Sequence, residues 1–180
     1  MEKVLSFAHN LLKQKLNSES VVIDATVGKG NDTFFLADFV KKVYAFDIQS
    51  DAILITKEKC KDFNNIEYIL DSHENILNYV EAGSLDGVIF NLGYMPSKDH
   101  LVTTKVNSTI KAIKASMEAL RVGGIIVIVV YPGHSEGYKE SIEINNFLSN
   151  VDQKKWDVIN YSFINQINNP PYLIALERLK

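Results

Sequence analysis

Short apolar segments alternate with longer amphipathic segments along this 180-residue chain. The short segments have the length of buried strands and end at Asp, Asn, Gly or Pro, whereas the longer ones repeat apolar residues with helical spacing. In the opening segment, for example, Leu5, Ala8, Leu12 and Leu16 share one helical face. This alternation predicts an α/β fold with a mostly parallel sheet.

The pattern predicts seven strands with helices between them. The predicted strands cover residues 21–23, 43–46, 66–70, 85–90, 125–130, 156–163 and 172–179. The predicted helices cover residues 2–16, 33–40, 51–61, 76–80, 103–120 and 136–150. We expect Gly123-Gly124 to separate the fifth helix from the fifth strand. The linkers are short, which predicts a single domain over residues 1–180.

A glycine pair follows the first predicted strand, in the sequence Asp24-Ala25-Thr26-Val27-Gly28-Lys29-Gly30. Between a strand and a helix, such glycines allow a tight turn and a close approach of the backbone to a ligand. The third glycine of the dinucleotide-binding pattern is absent, because Thr33 stands there. Asp24 would repel a phosphate but suits a cation, and S-adenosylmethionine (SAM) carries both a sulfonium and an ammonium. A plain strand–helix turn is the alternative.

The next two strands also end at polar residues. Asp47 can accept hydrogen bonds from both ribose hydroxyls of an adenosine, and Gln49 lies close enough in sequence to assist. Asp71-Ser72-His73 can contact an adenine, although His73 could equally cap the next helix. The predicted cofactor contacts are Asp24, Thr26, Gly28, Gly30, Asn31, Asp32, Asp47, Gln49, Asp71, Ser72, His73 and Asn91.

Composition narrows the function classes. A formal net charge of −3 excludes a generally basic nucleic-acid-binding surface, although it leaves room for a local patch. The lone cysteine, Cys60, excludes an intrachain disulfide and a cysteine metal cluster, so we expect no metal. The longest apolar run, Ile125 to Val130, is too short to span a membrane. We therefore expect a cytoplasmic protein with no membrane association.

Five motifs together resemble a small bacterial family long labelled "putative rRNA methylase". They lie at residues 24–33, 46–49, 90–96, 131–134 and 168–172. Members of that family are MnmM-type tRNA methyltransferases of Gram-positive bacteria. The resemblance implies a Rossmann-like class I methyltransferase fold with an antiparallel last strand, and SAM as cofactor. It also implies methylation of the aminomethyl nitrogen of 5-aminomethyl-(2-thio)uridine at wobble position 34, with the tRNA anticodon stem-loop as partner.

The sequence Asn91-Leu92-Gly93-Tyr94 leaves the fourth strand with the spacing N-x-x-Y. An Asn oxygen can accept the N–H groups of a neutral amine and so direct its lone pair, which makes Asn91 a predicted catalytic residue. Tyr94 is assigned to catalysis as a stacking platform, with core packing as its alternative. A literal N-P-P-Y at residues 169–172 precedes the last strand, so we reject it as catalytic. Its loop, 164–171, either walls the pocket or is a plain connection.

Further residues are expected to contact the substrate. His134 follows the fifth strand and either binds a phosphate or the uridine, or simply enters the next helix. Basic residues between Lys98 and Arg121 either bind RNA phosphates or form a solvated face. The predicted substrate contacts are Gly93, Tyr94, Lys98, Lys105, Tyr131, His134 and Asn169.

Several alternatives remain open at the level of function. The acceptor could be rRNA, a small molecule or a protein amine, and the net charge of −3 keeps the last two open as alternatives. From another class, the chain could be an NAD-dependent oxidoreductase or a non-catalytic adenosine binder, against which stand the missing third glycine and Asp24. A homodimer is expected to extend the RNA-binding surface of so small a protein.

Overall fold

The computed structural model describes residues 1–93 and 106–180, which form an α/β fold around one mixed sheet. Within these ranges the seven strands have the order β3-β2-β1-β4-β5-β7-β6. The strands are β1 (Val21–Asp24), β2 (Lys42–Asp47), β3 (Ile66–Leu70), β4 (Leu85–Asn91), β5 (Leu120–Val130), β6 (Trp156–Tyr161) and β7 (Tyr172–Arg178). The helices are α1 (Val4–Lys15), α2 (Asn31–Ala37), α3 (Ser50–Lys59), α4 (Val106–Ala119) and α5 (Ser135–Leu148), with a 3-10 helix at His73–Asn78.

The strand directions agree with the predicted fold class. β1 pairs in parallel with β2 and β4, and β3 and β5 extend the sheet in parallel on either side. β7 is antiparallel to both β5 and β6. β6 therefore runs in the same direction as β5, and only the last strand is reversed.

The central strands are buried on both faces, which explains their continuous apolar sequence. Along β5, Ile126, Ile128 and Val130 pack into one core with α4. The alternate residues Ile125, Val127 and Val129 pack into a second core with α1. Because side chains alternate across a strand, one apolar run fills both layers.

The start of β5 differs from the prediction. Gly123-Gly124 does not end a helix but lies inside the strand, which begins at Leu120. The pairing with β4 shifts between Leu85↔Leu120 and Gly87↔Ile125, so β5 bulges here. Gly123 has a φ of 80°, which a side chain rarely tolerates, and the glycine serves this bulge. β3 has the predicted ends and the other predicted elements are present with shifted ends. The predicted helix start at residue 103 lies outside the described residues.

The parallel strands bring their carboxyl ends to one edge of the sheet, where ligands bind in such folds. The connection after β6 returns to this edge, as expected for a strand that is parallel to β5. The carbonyl oxygens of Asn168 and Asn169 lie 3.9 and 3.8 Å from the position that a Cβ on Gly133 would take, directly after β5. No helix in the described part of the chain is long and apolar enough to cross a membrane.

Candidate active site

A cavity of about 560 Å³ opens at the carboxyl edge of the sheet, a volume typical of a cofactor site. Its wall combines the turn after β1 with the ends of the next strands along the sheet. Twelve predicted site residues line it: Thr26, Gly28, Asn31, Asp32, Asp47, Gln49, Asp71, Ser72, His73, Asn91, Gly93 and His134. Asp24, Gly30, Tyr131 and Asn169 do not line it. Tyr94, Lys98 and Lys105 lie outside the described residues.

Asp47 is half-buried at the end of β2 and faces the glycine turn. Its Oδ2 accepts the backbone N–H of Gly28 at 3.0 Å, and its Oδ1 accepts that of Gln49 at 2.9 Å. Gly28 has a φ of 52°, which lets its N–H point at the carboxylate. Each oxygen keeps further acceptor capacity, so the carboxylate is oriented while it remains able to bind two hydroxyl groups.

The structure contradicts our expectation that Asp24 contacts a cationic ligand directly. The side chain is fully buried beneath the turn. Its carboxylate accepts the hydroxyl of Thr33 at 2.6 Å and the backbone N–H of Thr26 at 3.1 Å. Burial, reinforced by the nearby Asp32, raises the pKa of Asp24 to about 7. Asp24 therefore ties the turn to the start of α2 and does not face the cavity.

Gly30 also serves the shape of the turn and not the lining of the cavity. It precedes α2 with a φ of 70°, in the left-handed region. A Cβ there would lie 2.6 Å from Oγ1 of Thr56, whose side chain is buried in α3. The glycine is thus required by its backbone conformation and by the approach of α3.

The end of β3 supplies two kinds of polar group. Asp71 accepts hydrogen bonds from the side chains of Asn75 at 2.9 Å and Tyr79 at 2.9 Å, and these bonds help to lower the pKa of Asp71. Ser72 caps the 3-10 helix by accepting the N–H of Glu74, so His73 is not the cap. Much of the acceptor capacity of Asp71 is therefore used within the protein.

His73 lines the cavity and carries a buried acceptor. Its Nδ1 lies 3.0 Å from the carbonyl oxygen of Ala25, so Nδ1 carries the proton and Nε2 the lone pair. Nε2 is buried and has no hydrogen-bond partner among the described residues. Burial lowers the pKa of His73, which favours this neutral form. A buried acceptor of this kind calls for a donor from a ligand.

Asn91 ends β4 and is held from two sides. Its backbone N–H donates to the hydroxyl of Thr26 at 2.7 Å, and its side-chain Nδ2 donates to Oδ2 of Asp32 at 3.0 Å. Asp32 is buried in the first turn of α2, and its Oδ1 lies 2.7 Å from Nε2 of His9 in α1. Asp32 thus links Asn91, which lines the cavity, to His9 in the first helix.

The remaining substrate candidates occupy different positions around the cavity. His134 is the N-cap of α5, where its Nδ1 accepts the N–H of Gly137 at 3.0 Å, and its ring also lines the cavity. Tyr131 packs behind Gly93, 3.4 Å from the position of a Cβ there. Asn169 is exposed in the loop beside Gly133, and its φ is 47°. Only His134 and Gly93 of these reach the cavity.

Glu140 and His9 are among the residues of the site that escaped the sequence-based prediction. Glu140 lines the cavity from α5, accepts the hydroxyl of Thr109 at 2.6 Å, and has a pKa that burial raises. His9 was missed because its partner, Asp32, is 23 residues away along the chain. A signal for His9 did exist, since it stands four residues after Leu5 and three before Leu12, on the apolar side of a helix.

The cavity wall is strongly acidic, which fits a cationic ligand such as SAM. Its carboxylates are Asp32, Asp47, Asp71, Glu74, Glu136 and Glu140, and Lys29 also lines it. Over residues 1–93 and 106–180, no group of three or more His, Cys, Asp and Glu side chains could hold a metal ion.

The predicted basic patch is only partly supported. Lys111 pairs with Glu74 at 3.3 Å, and Lys114 lies over the ring of Phe147. Arg121 pairs with Asp86 near the start of β4, at the edge of the sheet opposite the cavity. The 14 residues of α4 span about 21 Å, so α4 carries the chain away from the site before Arg121.

Another lysine, Lys59, reaches the rim of the cavity from α3. Its Nζ contacts Oδ1 of Asn31 and lies 3.4 Å from the carbonyl oxygen of Lys29. Lys29 and Asn31 line the cavity, so Lys59 braces its rim.

Comparisons with known proteins agree with this fold. Residues 43–177 match the protein family described as "Putative rRNA methylase". A "tRNA (mnm(5)s(2)U34)-methyltransferase, chloroplastic" of Arabidopsis thaliana is 32% identical over 98% of this chain and 70% of its own. A crystal structure of an rRNA methylase homologue from Clostridium thermocellum is 40% identical, with a TM-score of 0.94 over 99% of both chains. A methyltransferase from Streptococcus mutans in complex with SAH is also 40% identical, with a TM-score of 0.91 over 99% of both chains.

Proposed function

Since this chain belongs to the "Putative rRNA methylase" family and is a SAM-dependent methyltransferase with the class I fold, we propose that it methylates tRNA at the wobble position. The proposed acceptor is the aminomethyl nitrogen of 5-aminomethyl-(2-thio)uridine. The choice of tRNA is supported by the Arabidopsis relative, which aligns with 98% of this chain and whose name specifies U34. The choice of an amine is supported by the site itself.

The observation that carries the amine assignment is the side chain of Asn91. It lines an acidic cavity, and its Nδ2 is engaged by Asp32 at 3.0 Å, which leaves the amide oxygen as its acceptor. An amide oxygen accepts the N–H of a neutral amine without favouring the protonated ammonium, as a carboxylate would. The surrounding carboxylates attract an aminomethyl group as a cation, which releases its proton to solvent before the transfer, and the amide oxygen of Asn91 then accepts an N–H of the neutral amine.

The residues of the first three strand ends fit the cofactor. SAM supplies an electrophilic methyl group, whose S–C bond breaks as the amine nitrogen forms the new N–C bond. Asp47, oriented by the N–H groups of Gly28 and Gln49, is proposed to accept the two ribose hydroxyls. Nε2 of His73 is proposed to accept the adenine amino group, which would give this buried nitrogen a partner.

Orientation is then the main task of the acceptor side. An amine is intrinsically nucleophilic, so the site needs to align its lone pair with the methyl group more than it needs a strong base. Asn91 is proposed to align it. Tyr94 remains the predicted stacking platform for the base and lies outside the described residues.

The RNA is proposed to approach the carboxyl edge of the sheet as an anticodon stem-loop. Lys29 lines the cavity and Lys59 braces its rim, so both can reach phosphates beside the flipped-in base. His134, whose Nδ1 is occupied by Gly137, can offer Nε2–H to the uridine or to a phosphate. Lys98 and Lys105 stay predicted phosphate contacts, and a homodimer stays a prediction.

The test is methylation of defined RNA. The purified protein is incubated with SAM carrying a labelled methyl group and with anticodon stem-loops that contain 5-aminomethyl-2-thiouridine or unmodified uridine at position 34. Mass spectrometry of the nucleosides is expected to show a labelled methylaminomethyl product from the first substrate alone. Ribosomal RNA serves as the competing substrate, because the family description names it. Label found in ribosomal RNA and not in the stem-loop would overturn the choice of tRNA.

Variants of Asn91 test the amine chemistry. Asn91→Ala is expected to lower kcat on the order of 10²-fold with little change in the Kd for SAH, because the lost interaction aligns the reacting nitrogen. Asn91→Asp keeps an oxygen acceptor but favours the ammonium, so its activity is expected to recover as pH rises. If the two variants give the same pH–rate profile, Asn91 does not hold the amine.

A further inference from the structure

The side chains of His9, Asp32 and Asn91 connect α1 to the carboxyl edge of the sheet. Nε2 of His9 lies 2.7 Å from Oδ1 of Asp32, and Oδ2 of Asp32 lies 3.0 Å from Nδ2 of Asn91. Asp32 is only 3% exposed, so water competes little for either bond. Both oxygens of this carboxylate are thus engaged within the protein, one by each neighbour.

The contact with Asp32 fixes which way the amide of Asn91 faces. A carboxylate only accepts hydrogen bonds, so the amide must turn its NH₂ group towards Asp32 and its oxygen away from it. Without this carboxylate the amide could rotate by half a turn, and its NH₂ would then meet the N–H groups of the acceptor amine. Two donors facing each other form no hydrogen bond, and the lone pair would lose its alignment.

His9 in turn fixes Asp32. The imidazole is stacked on the ring of Phe35 at 3.8 Å, with an angle of 6° between the ring planes, so its Nε2 points in a defined direction. Its neighbour Ala8 is buried in the core that α1 forms with the sheet. Asp24 and Tyr131 also interact with the charge of Asp32, and neither of them supplies a cation. Among the described residues, the donor that faces Oδ1 of Asp32 is His9.

We propose that Asp32 and His9 are positioning residues for methyl transfer: His9 orients Asp32, and Asp32 orients the amide of Asn91 so that its oxygen faces the acceptor nitrogen. This rests on the proposed function insofar as the acceptor is an amine. It assigns Asp32 a different role from the cofactor contact expected from the sequence, and it makes the first helix part of the active site.

A double-mutant cycle tests whether Asp32 acts through Asn91. Asp32→Ala removes both acceptor oxygens and is expected to lower kcat on the order of 10-fold or more, with the Kd for SAH changed less than 2-fold. In the Asn91→Ala background the same change is expected to have no further effect on kcat, because the group that it orients is gone. Equal losses in both backgrounds, or a loss confined to SAH binding, would overturn the proposal.

A matched pair at His9 separates the hydrogen bond from packing. His9→Phe keeps an aromatic ring on Phe35 but removes the donor, and kcat is expected to fall several-fold. His9→Gln places an amide N–H near the position of Nε2 and is expected to restore most of the activity. If both variants lose activity equally while SAH binding is retained, His9 contributes only through its ring.

A readout without substrate keeps this proposal separable from the proposed function. The side-chain NH₂ signal of Asn91 in a ¹⁵N NMR spectrum is identified by its absence in Asn91→Ala. It is expected to be protected from solvent exchange in the wild type and unprotected in Asp32→Ala, which has no acceptor for this group. If the wild type methylates no wobble uridine, the proposed function fails, whereas an unchanged Asn91 signal in Asp32→Ala would refute the positioning role itself.

Discussion

Replacement of Gly30 by alanine is expected to destabilise the fold through two separate effects. The first is conformational: Gly30 has a φ of 70°, and an L-residue in this left-handed region costs about 1–2 kcal/mol. The second is steric: the new Cβ would lie 2.6 Å from Oγ1 and 2.7 Å from Cγ2 of Thr56, whose side chain is fully buried. Overpacking of this kind costs about 1–3 kcal/mol. Gly30→Ala should therefore lower the free energy of unfolding by about 2–5 kcal/mol.

Gly83 provides a matched control within the same chain. Its φ of 71° is nearly that of Gly30, but apart from its two chain neighbours no described residue has an atom within 4 Å of the position of its Cβ. Gly83→Ala should therefore show the conformational cost alone, about 1–2 kcal/mol. Both variants are measured by urea denaturation with linear extrapolation, provided that the slopes agree with that of the wild type.

The steric part can also be removed directly. Thr56→Ala deletes both atoms that the new Cβ would meet most closely, so in that background the cost of Gly30→Ala should fall towards that of Gly83→Ala. Equal losses for Gly30→Ala and Gly83→Ala, or no relief in the Thr56→Ala background, would refute the assignment of Gly30 to the approach of α3. SAH titration of the folded variants then reports whether the turn has moved.

Two further predictions concern Asp47 and Asp24, whose carboxylates bond to backbone N–H groups of the glycine turn. In calorimetry, Asp47→Ala is expected to weaken SAH binding by about 1.5–3 kcal/mol, which is the range for hydrogen bonds to charged groups. An unchanged Kd for SAH in a folded variant would exclude Asp47 from the ribose site. Burial and Asp32 raise the pKa of Asp24 to about 7 in the folded state, whereas in the unfolded state Asp24 releases its proton near its ordinary pKa of 3.8. The stability of the fold therefore falls as pH rises between these two values. Asp24→Asn has no proton to lose, so its Tm should rise relative to that of the wild type from pH 5 to 7, whereas a constant difference would contradict the raised pKa.

The parts of the fold that sequence predicts well are those with a dominant local cause. The continuous apolar run of β5 requires burial on both faces, and the structure divides it between two cores. Asp47 and Asn91 were predictable as lining residues because polar residues at the ends of parallel strands meet at one edge of the sheet. Gly123 was misjudged because glycine both ends helices and permits bulges, and only the pairing with β4 selects the bulge.

The candidate site also contains features that the local sequence does not determine. Asp24 follows a strand just as Asp47 does, yet it points beneath the turn, where Thr33 donates to it. Nothing in the spacing distinguishes the two directions, because these depend on how α2 packs. The pairing of His9 with Asp32 joins two elements that only the tertiary fold brings together.

The position of β7 has a consequence for folding during synthesis on the ribosome. β7 is the last of the seven strands to be synthesised, yet it lies between β5 and β6. Its residues Ile174 and Leu176 enter one core, and Leu173 and Ala175 enter the other. While β7 is still inside the ribosome, β6 has no neighbour in the sheet and the apolar edge of β5 stays open. The nascent chain must therefore pass through an aggregation-prone stage that ends only when β7 inserts.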